Sequence, residues 1–274
     1  MAEINSGYVK AQAAEIYFEQ AGEGTDFVML HAGVADARQW DTSFTHFADT
    51  FRTLRYDMRG FGRSVPVPGN YRPIDDLRAV IDHANVREPA ILMGCSMGGT
   101  LAMDFTLAYP ESVSALIMVC SGPSGLKLDV PAPEKFKAVE AAYEAGDIDL
   151  CCELETQIWF DGESRSPSEV DPEQRALLYE MNKTALMHDA VKGVGERQHN
   201  LETAAYKRLD EIEVPVLVIV GTLDIPYTHA AAGYMCERIK DVTRVEISDA
   251  AHLPSMEQPQ IFNDAVAAFL GTSS

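Results

Sequence analysis

A chain of 274 residues that is 46% hydrophobic, with a mean hydropathy of −0.10, can build one large α/β domain or two small ones; no run approaches the eighteen or so apolar residues of a membrane span. Its 42 acidic and 22 basic side chains leave a formal charge of −20, which argues against nucleic acid as a partner, because such binding neutralises phosphates with Lys and Arg. The cysteines (Cys95, Cys120, Cys151, Cys152, Cys236) are odd in number with no C-x-x-C, and "MAEINSGYVKAQAAEIYFEQ" lacks the basic-then-apolar order of a secretory signal; together these point to reduced thiols in a cytoplasm.

The first region reads as strands. "AEIYFEQAG" alternates up to a turn at Gly22 to Gly24, "DFVMLHAG" is a short buried strand ending in a glycine loop, and "FRTLRYDMRGFG" closes at Gly60 and Gly62. In "PIDDLRAVIDHANV", Ile74, Leu77, Val80 and Ile81 fall at helical spacing. The strand "PAILMG", a serine turn, a helix and the strand "SALIMVCSG" follow. Such alternation predicts a mostly parallel, doubly wound sheet covered on both faces. From Ser124 to Glu213 only helical stretches are found, such as "EKFKAVEAAYEAG", "LCCELETQIWF" and "EQRALLYEMNKTALMH". The strand–helix rhythm returns with "VPVLVIVGTLD", a helix near His229 to Ile239, "VTRVEISDAAH" and a last helix "IFNDAVAAFL". The expected organisation is a core made of 1–123 and 214–274, interrupted by a helical insertion over 124–213.

The serine turn carries the first chemistry. Gly94-Cys95-Ser96-Met97-Gly98 is G-x-S-x-G between a strand and a helix, where small outer residues permit a sharp turn that leaves the serine exposed. A serine nucleophile needs a base, a carboxylate to orient that base, and donors for an oxyanion. Of seven histidines, His252 follows a strand and precedes the last helix, which hangs it from the sheet edge that holds Ser96. His31 also ends a strand, but beside a loop better suited to offering backbone N–H groups. Asp224 ends the strand before that of His252 and gives the chain order Ser, Asp, His; Asp249 is its rival and reads as a turn cap. The N–H groups of Met97, at a helix start, and Gly33 are the expected oxyanion donors. Cys95 is expected to point into the core, and Asp57 and Arg59 to form a buried ion pair.

Over nearly its whole length the chain resembles the α/β-hydrolase fold superfamily. The matching pieces are "LHAGVADARQWD", "YDMRGFGRS", "GCSMGG", "GTLD" and "DAAHLPSMEQP", and the likeness is strongest to cofactor-free carboxylesterases and the 3-oxoadipate enol-lactonase-like group. Two departures are Ala32, where His-Gly is usual, and Ala251, where Gly-His is usual. The resemblance implies Ser96, Asp224 and His252 as catalytic residues, the N–H groups of Gly33 and Met97 as the oxyanion hole, and 124–213 as a cap over the site. It implies no metal and no organic cofactor.

The expected reaction is acyl transfer to water from a small-molecule ester of small to medium acyl chain. The alternatives are a lactonase or carbon–carbon bond hydrolase using the same three residues, and a non-catalytic binding protein, which would tolerate damage to them. Trp159, Leu126 and Met181 are the expected substrate-binding side chains, with Met118, Leu186 and Met187 as further apolar candidates. The segment 124–213 holds 20 acidic and 10 basic residues, which favours a neutral ester over an anionic one. Exposed cap helices leave a homodimer open.

Overall fold

The computed structural model describes residues 3–272. Strands β1 (Asn5–Ala11), β2 (Ala14–Ala21), β3 (Asp26–Leu30), β4 (Arg52–Tyr56), β5 (Ala90–Cys95), β6 (Val113–Val119), β7 (Val216–Gly221) and β8 (Val242–Ile247) form one sheet in the order β1-β2-β4-β3-β5-β6-β7-β8. β1 and β2 pair antiparallel, β2 joins β4 antiparallel, and β4, β3, β5, β6, β7 and β8 run parallel. The central strands are buried along their full length because both sheet faces are covered. Their side chains alternate between two cores: Val28, Leu30 and Leu92 face one, Phe27, Met29, Ile91 and Met93 the other.

Helices follow the strands: α1 (Asp41–Phe47), α2 (Pro73–His83) and α3 (Met97–Ala108) precede β6. Then α4 (Lys135–Glu144), α5 (Ile148–Thr156) and α6 (Pro172–Asp189) lie between β6 and β7, and α7 (Pro226–Cys236), α8 (Pro254–Glu257) and α9 (Pro259–Leu270) close the chain. α2, α3 and α7 bury their apolar stripes on one face of the sheet, through residues such as Leu77, Leu101 and Met235. α1 and α9 cover the other through Phe44, Phe47, Phe262 and Val266. α7 begins three residues earlier than the sequence suggests, because Pro226 supplies a first-turn residue with φ already set for a helix. Between 124 and 213 the only extended pairing among the described residues is an isolated bridge from Tyr71 to Arg197. No helix among the described residues is long and apolar enough to cross a membrane.

Because β3, β5, β6, β7 and β8 are parallel, their carboxyl ends share one edge, and the chain reverses its order of strand addition at β3. Gly33, Ser96, Asp224 and His252 each follow one of these strand ends within a few residues.

Candidate active site

β5 ends in Cys95, and Ser96 stands at φ 50°, ψ −113°, a region that L side chains enter at a cost of about 1–3 kcal/mol. Three contacts hold it there. Its N–H donates to the Val119 carbonyl at 2.9 Å, and its own carbonyl accepts from the Thr100 N–H at 3.0 Å and the Ser121 hydroxyl at 2.6 Å. Glycine is required on both sides by space. A β-carbon on Gly94 would come within 2.3 Å of the Gly98 backbone, and one on Gly98 within 2.3 Å of the Leu30 carbonyl oxygen. The strand–serine–helix turn therefore packs directly on the end of β3. Cys95 is fully buried, with its Sγ 3.5 Å from the His252 carbonyl, as expected for a core side chain.

Met97 opens α3, so its N–H has no carbonyl one turn back to bond. Gly33 lies against it: a β-carbon there would sit 3.7 Å from Met97 Cβ and Sδ. The loop carrying Gly33 is braced from behind by His31, whose Nδ1 bonds the Ala32 carbonyl at 2.8 Å while Nε2 accepts from the Met58 N–H at 2.9 Å. Those partners require Nδ1–H and a neutral ring, and complete burial lowers the His31 pKa to about 4. The Ala32 N–H donates to Gln39 Oε1 at 2.8 Å. His31 is thus a brace for the loop, and its role is not visible from its place in the sequence.

Beyond β8, His252 Nδ1 lies 3.0 Å from Asp224 Oδ1 and 2.9 Å from Oδ2. The pair is buried, with side chains 6% and 1% exposed. Asp224 also accepts the Ile225 N–H at 2.7 Å. Asp249, its rival in sequence, points away; its carboxylate lies 3.6 Å from Arg165. Three features fix the His252 loop. Its N–H donates to the Trp159 carbonyl at 3.1 Å, and the Trp159 ring packs on the imidazole with centroids 4.5 Å apart. The Glu257 carboxylate accepts the N–H groups on either side, Ala251 at 2.7 Å and Leu253 at 2.9 Å. Glu257 in turn pairs with Arg165 at 2.5 Å, although burial pushes its pKa up to about 7.

Ser96 and His252 line one cavity of about 400 Å³, together with Met97, Leu126, Trp159 and Tyr227. That volume suits a small to medium organic molecule. The Tyr227 hydroxyl donates to the Leu126 carbonyl at 2.9 Å and so joins two residues of the lining. Met181 is not in this lining: it is fully buried in an apolar cluster with Phe160 and Leu178, on the side of α6 turned toward the rest of the insertion. Met118 is likewise core on β6, and Met187 is 56% exposed. Asp57 and Arg59 do not pair with each other. Asp57 accepts the N–H groups of Ala37 and Arg63, both at 2.8 Å, whereas Arg59 holds Asp76 at 2.6 Å.

Cys120, Asp224 and His252 each bring one potential ligand atom within 4.8 Å of the others. A metal there would have to replace the Nδ1 hydrogen bond to Asp224 and ionise a thiol whose pKa burial pushes well above its ordinary value, so the donor set fits poorly.

The model of the alpha/beta hydrolase fold family matches residues 27–259. The chain is 27% identical over 240 residues to 3-oxoadipate enol-lactonase 2 of Acinetobacter baylyi, covering 84% of this chain and 83% of that one. It is 28% identical over 265 residues to the pimeloyl-[acyl-carrier protein] methyl ester esterase of Pectobacterium carotovorum, covering 93% and 98%. Among solved structures, a thermophilic esterase from Thermogutta terrifontis superposes with a TM-score of 0.77 at 25% identity over 97% of this chain and 98% of that one.

Proposed function

The chain belongs to the α/β-hydrolase fold family, and we propose that within it this protein is a serine hydrolase cleaving carboxylic esters of small to medium acyl chain through Ser96, His252 and Asp224. The observation that carries the reading is the His252–Asp224 hydrogen bond at 2.9 Å, with the imidazole and the strained Ser96 lining one cavity. Asp224 holds Nδ1 protonated, which leaves Nε2 free to take the serine proton. Ser96 attacks the ester carbonyl carbon, and the oxyanion rests on the Gly33 and Met97 N–H groups, each worth roughly 3 kcal/mol of barrier. His252 gives its proton to the departing alcohol, leaving the acyl group on Ser96. Water then attacks, His252 takes its proton, and the acid is released. Each step is carried by side chains and backbone of this chain, with a small-molecule ester and water as the reactants. The helical segment 124–213 serves as the cap, contributing Leu126 and Trp159 to the cavity wall.

Lactone opening is the second reading, supported by the likeness to an enol-lactonase. A lactone is an internal ester, so the bonds broken are the same; the leaving alcohol merely stays tethered.

The test is kcat/KM for p-nitrophenyl esters from acetyl to decanoyl. An optimum at short to medium chains is expected, lost by at least about 10³-fold in Ser96→Ala. A wild-type protein inert toward these esters and toward lactones would overturn the reading.

A further inference from the structure

Fourteen arginines occur in the sequence, and among the described residues thirteen hold a carboxylate within 4.0 Å. Arg197 is the exception. In a chain with 42 acidic residues, a guanidinium left without a carboxylate is conspicuous. Asp76, Asp104, Asp189, Glu196 and Glu202 line cavities with it, but none comes within 4.0 Å of its guanidinium. Asp76 pairs with Arg59 at 2.6 Å, and Asp104 accepts from the Ser124 hydroxyl at 2.7 Å and the Asn200 amide at 2.8 Å.

Its surroundings adjoin the active site. Arg197 lines a cavity of about 420 Å³ that shares Met97 with the Ser96 cavity, and another of about 510 Å³ that shares Thr100, Ser124 and Gly125 with it. Its backbone is fixed as well. The Tyr71 N–H donates to the Glu196 carbonyl at 3.1 Å, and the Gln198 N–H donates to the Tyr71 carbonyl at 2.8 Å. Gly195 and Gly69 meet so closely that a β-carbon on Gly195 would fall 1.7 Å from the Gly69 oxygen. This bridge fixes the backbone of an exposed arginine that has no ion-pair partner among the described residues and lines cavities adjoining that of Ser96.

We propose that Arg197 is an anion subsite, and that the preferred ester carries a carboxylate at the end remote from the bond that is cut. The inference rests on the esterase reading above and names its substrate class. Thr100 and Asp104, which line a cavity with Arg197, lie one and two turns along α3 from Ser96, roughly 6 and 12 Å by helical rise. A half-ester of a medium aliphatic dicarboxylic acid meets that span. Guanidinium binds carboxylate through two parallel hydrogen bonds, which a neutral ester group cannot match.

The experiment compares monomethyl with dimethyl esters of the glutarate-to-suberate series, using wild type, Arg197→Met and Arg197→Lys. In wild type the half-ester is the better substrate. In Arg197→Met the half-ester to diester ratio of kcat/KM falls about 10- to 100-fold, mainly through KM, and Arg197→Lys recovers part of it. A ratio unchanged by Arg197→Met overturns the subsite while leaving the esterase reading intact. If wild type cleaves neither ester, the esterase reading fails, and titration calorimetry of monomethyl adipate onto Ser96→Ala protein decides the subsite alone. Binding that disappears on adding Arg197→Met supports it; no binding, or binding indifferent to that change, overturns it.

Discussion

At the scale of single residues, the site depends on side chains that never face the cavity. His31 is the plainest case: it joins the loop of Gly33 to the loop after β4, and it does so only as a neutral ring. The folded protein holds its pKa near 4, whereas an unfolded chain would hold it near 6.5. Between those values the unfolded state takes up a proton that the folded state refuses. The stability owed to neutral His31 is therefore complete above pH 6.5 and is lost as pH falls toward 4, by about 3 kcal/mol in all. Burial raises Glu257 to about 7 and Asp57 to about 6, and these shifts act in the opposite direction, so the wild-type curve alone is a poor readout. His31→Gln keeps a donor and an acceptor and does not titrate here. Urea midpoints should show wild type losing stability relative to this variant between pH 7 and pH 5. A difference that stays constant would mean that His31 takes up protons equally in both states.

At the scale of elements, the helical segment 124–213 and the loop of His252 form one mechanical unit. Arg165 donates to the Phe160 and Asp161 carbonyls on one side and meets Glu257 on the other, with its side chain only 10% exposed. Removing one partner of such a buried pair typically costs about 3–5 kcal/mol. Arg165→Met should lower the urea midpoint accordingly and reduce turnover, because Glu257 also positions the amides that flank His252. The double change with Glu257→Gln should cost less than the sum of the two. Stability and turnover both unchanged in Arg165→Met would show the helical segment and the His252 loop to be independent. Much of this scale is legible in the sequence. The apolar runs of β3, β5, β6 and β7 and the spacing of Ile74, Leu77, Val80 and Ile81 announce themselves, since burial on two faces or on one helical stripe leaves a periodic trace. β1 leaves almost none: it is an edge strand with only Val9 and Ala11 buried, and its pairing with β2 defines it. The link from Arg165 to Glu257 spans 92 residues, and nothing local marks either end.

At the scale of the whole molecule, charge is dominated by repulsion. With 42 acidic residues against 22 basic ones, screening should help the folded state more than it weakens the arginine ion pairs. The melting temperature should rise by a few degrees from low salt to about 0.2 M, a range over which the Debye length falls below about 10 Å. A fall instead would show the ion pairs to be the larger effect. The same net charge suggests, when read from the sequence, a cavity hostile to anions. Totals conceal pairing, however: Arg175 is consumed by Glu153 and Asp161, while Arg197 is left free of any described carboxylate. The meeting of Ser96, Asp224 and His252 at one sheet edge is legible because each follows a strand of the parallel sheet. Met181 misled because a helix shows which residues are apolar but not which layer they enter. The hydrogen bond from the His252 N–H to the Trp159 carbonyl also joins one wall of the cavity to the imidazole. An outward movement of Trp159 would therefore carry the His252 backbone with it, so the Trp159 wall of the cavity and the imidazole hold their places together. The opposite wall is held independently: Leu126 is tied by its carbonyl to the Tyr227 hydroxyl, and Ser124 by its hydroxyl to Asp104.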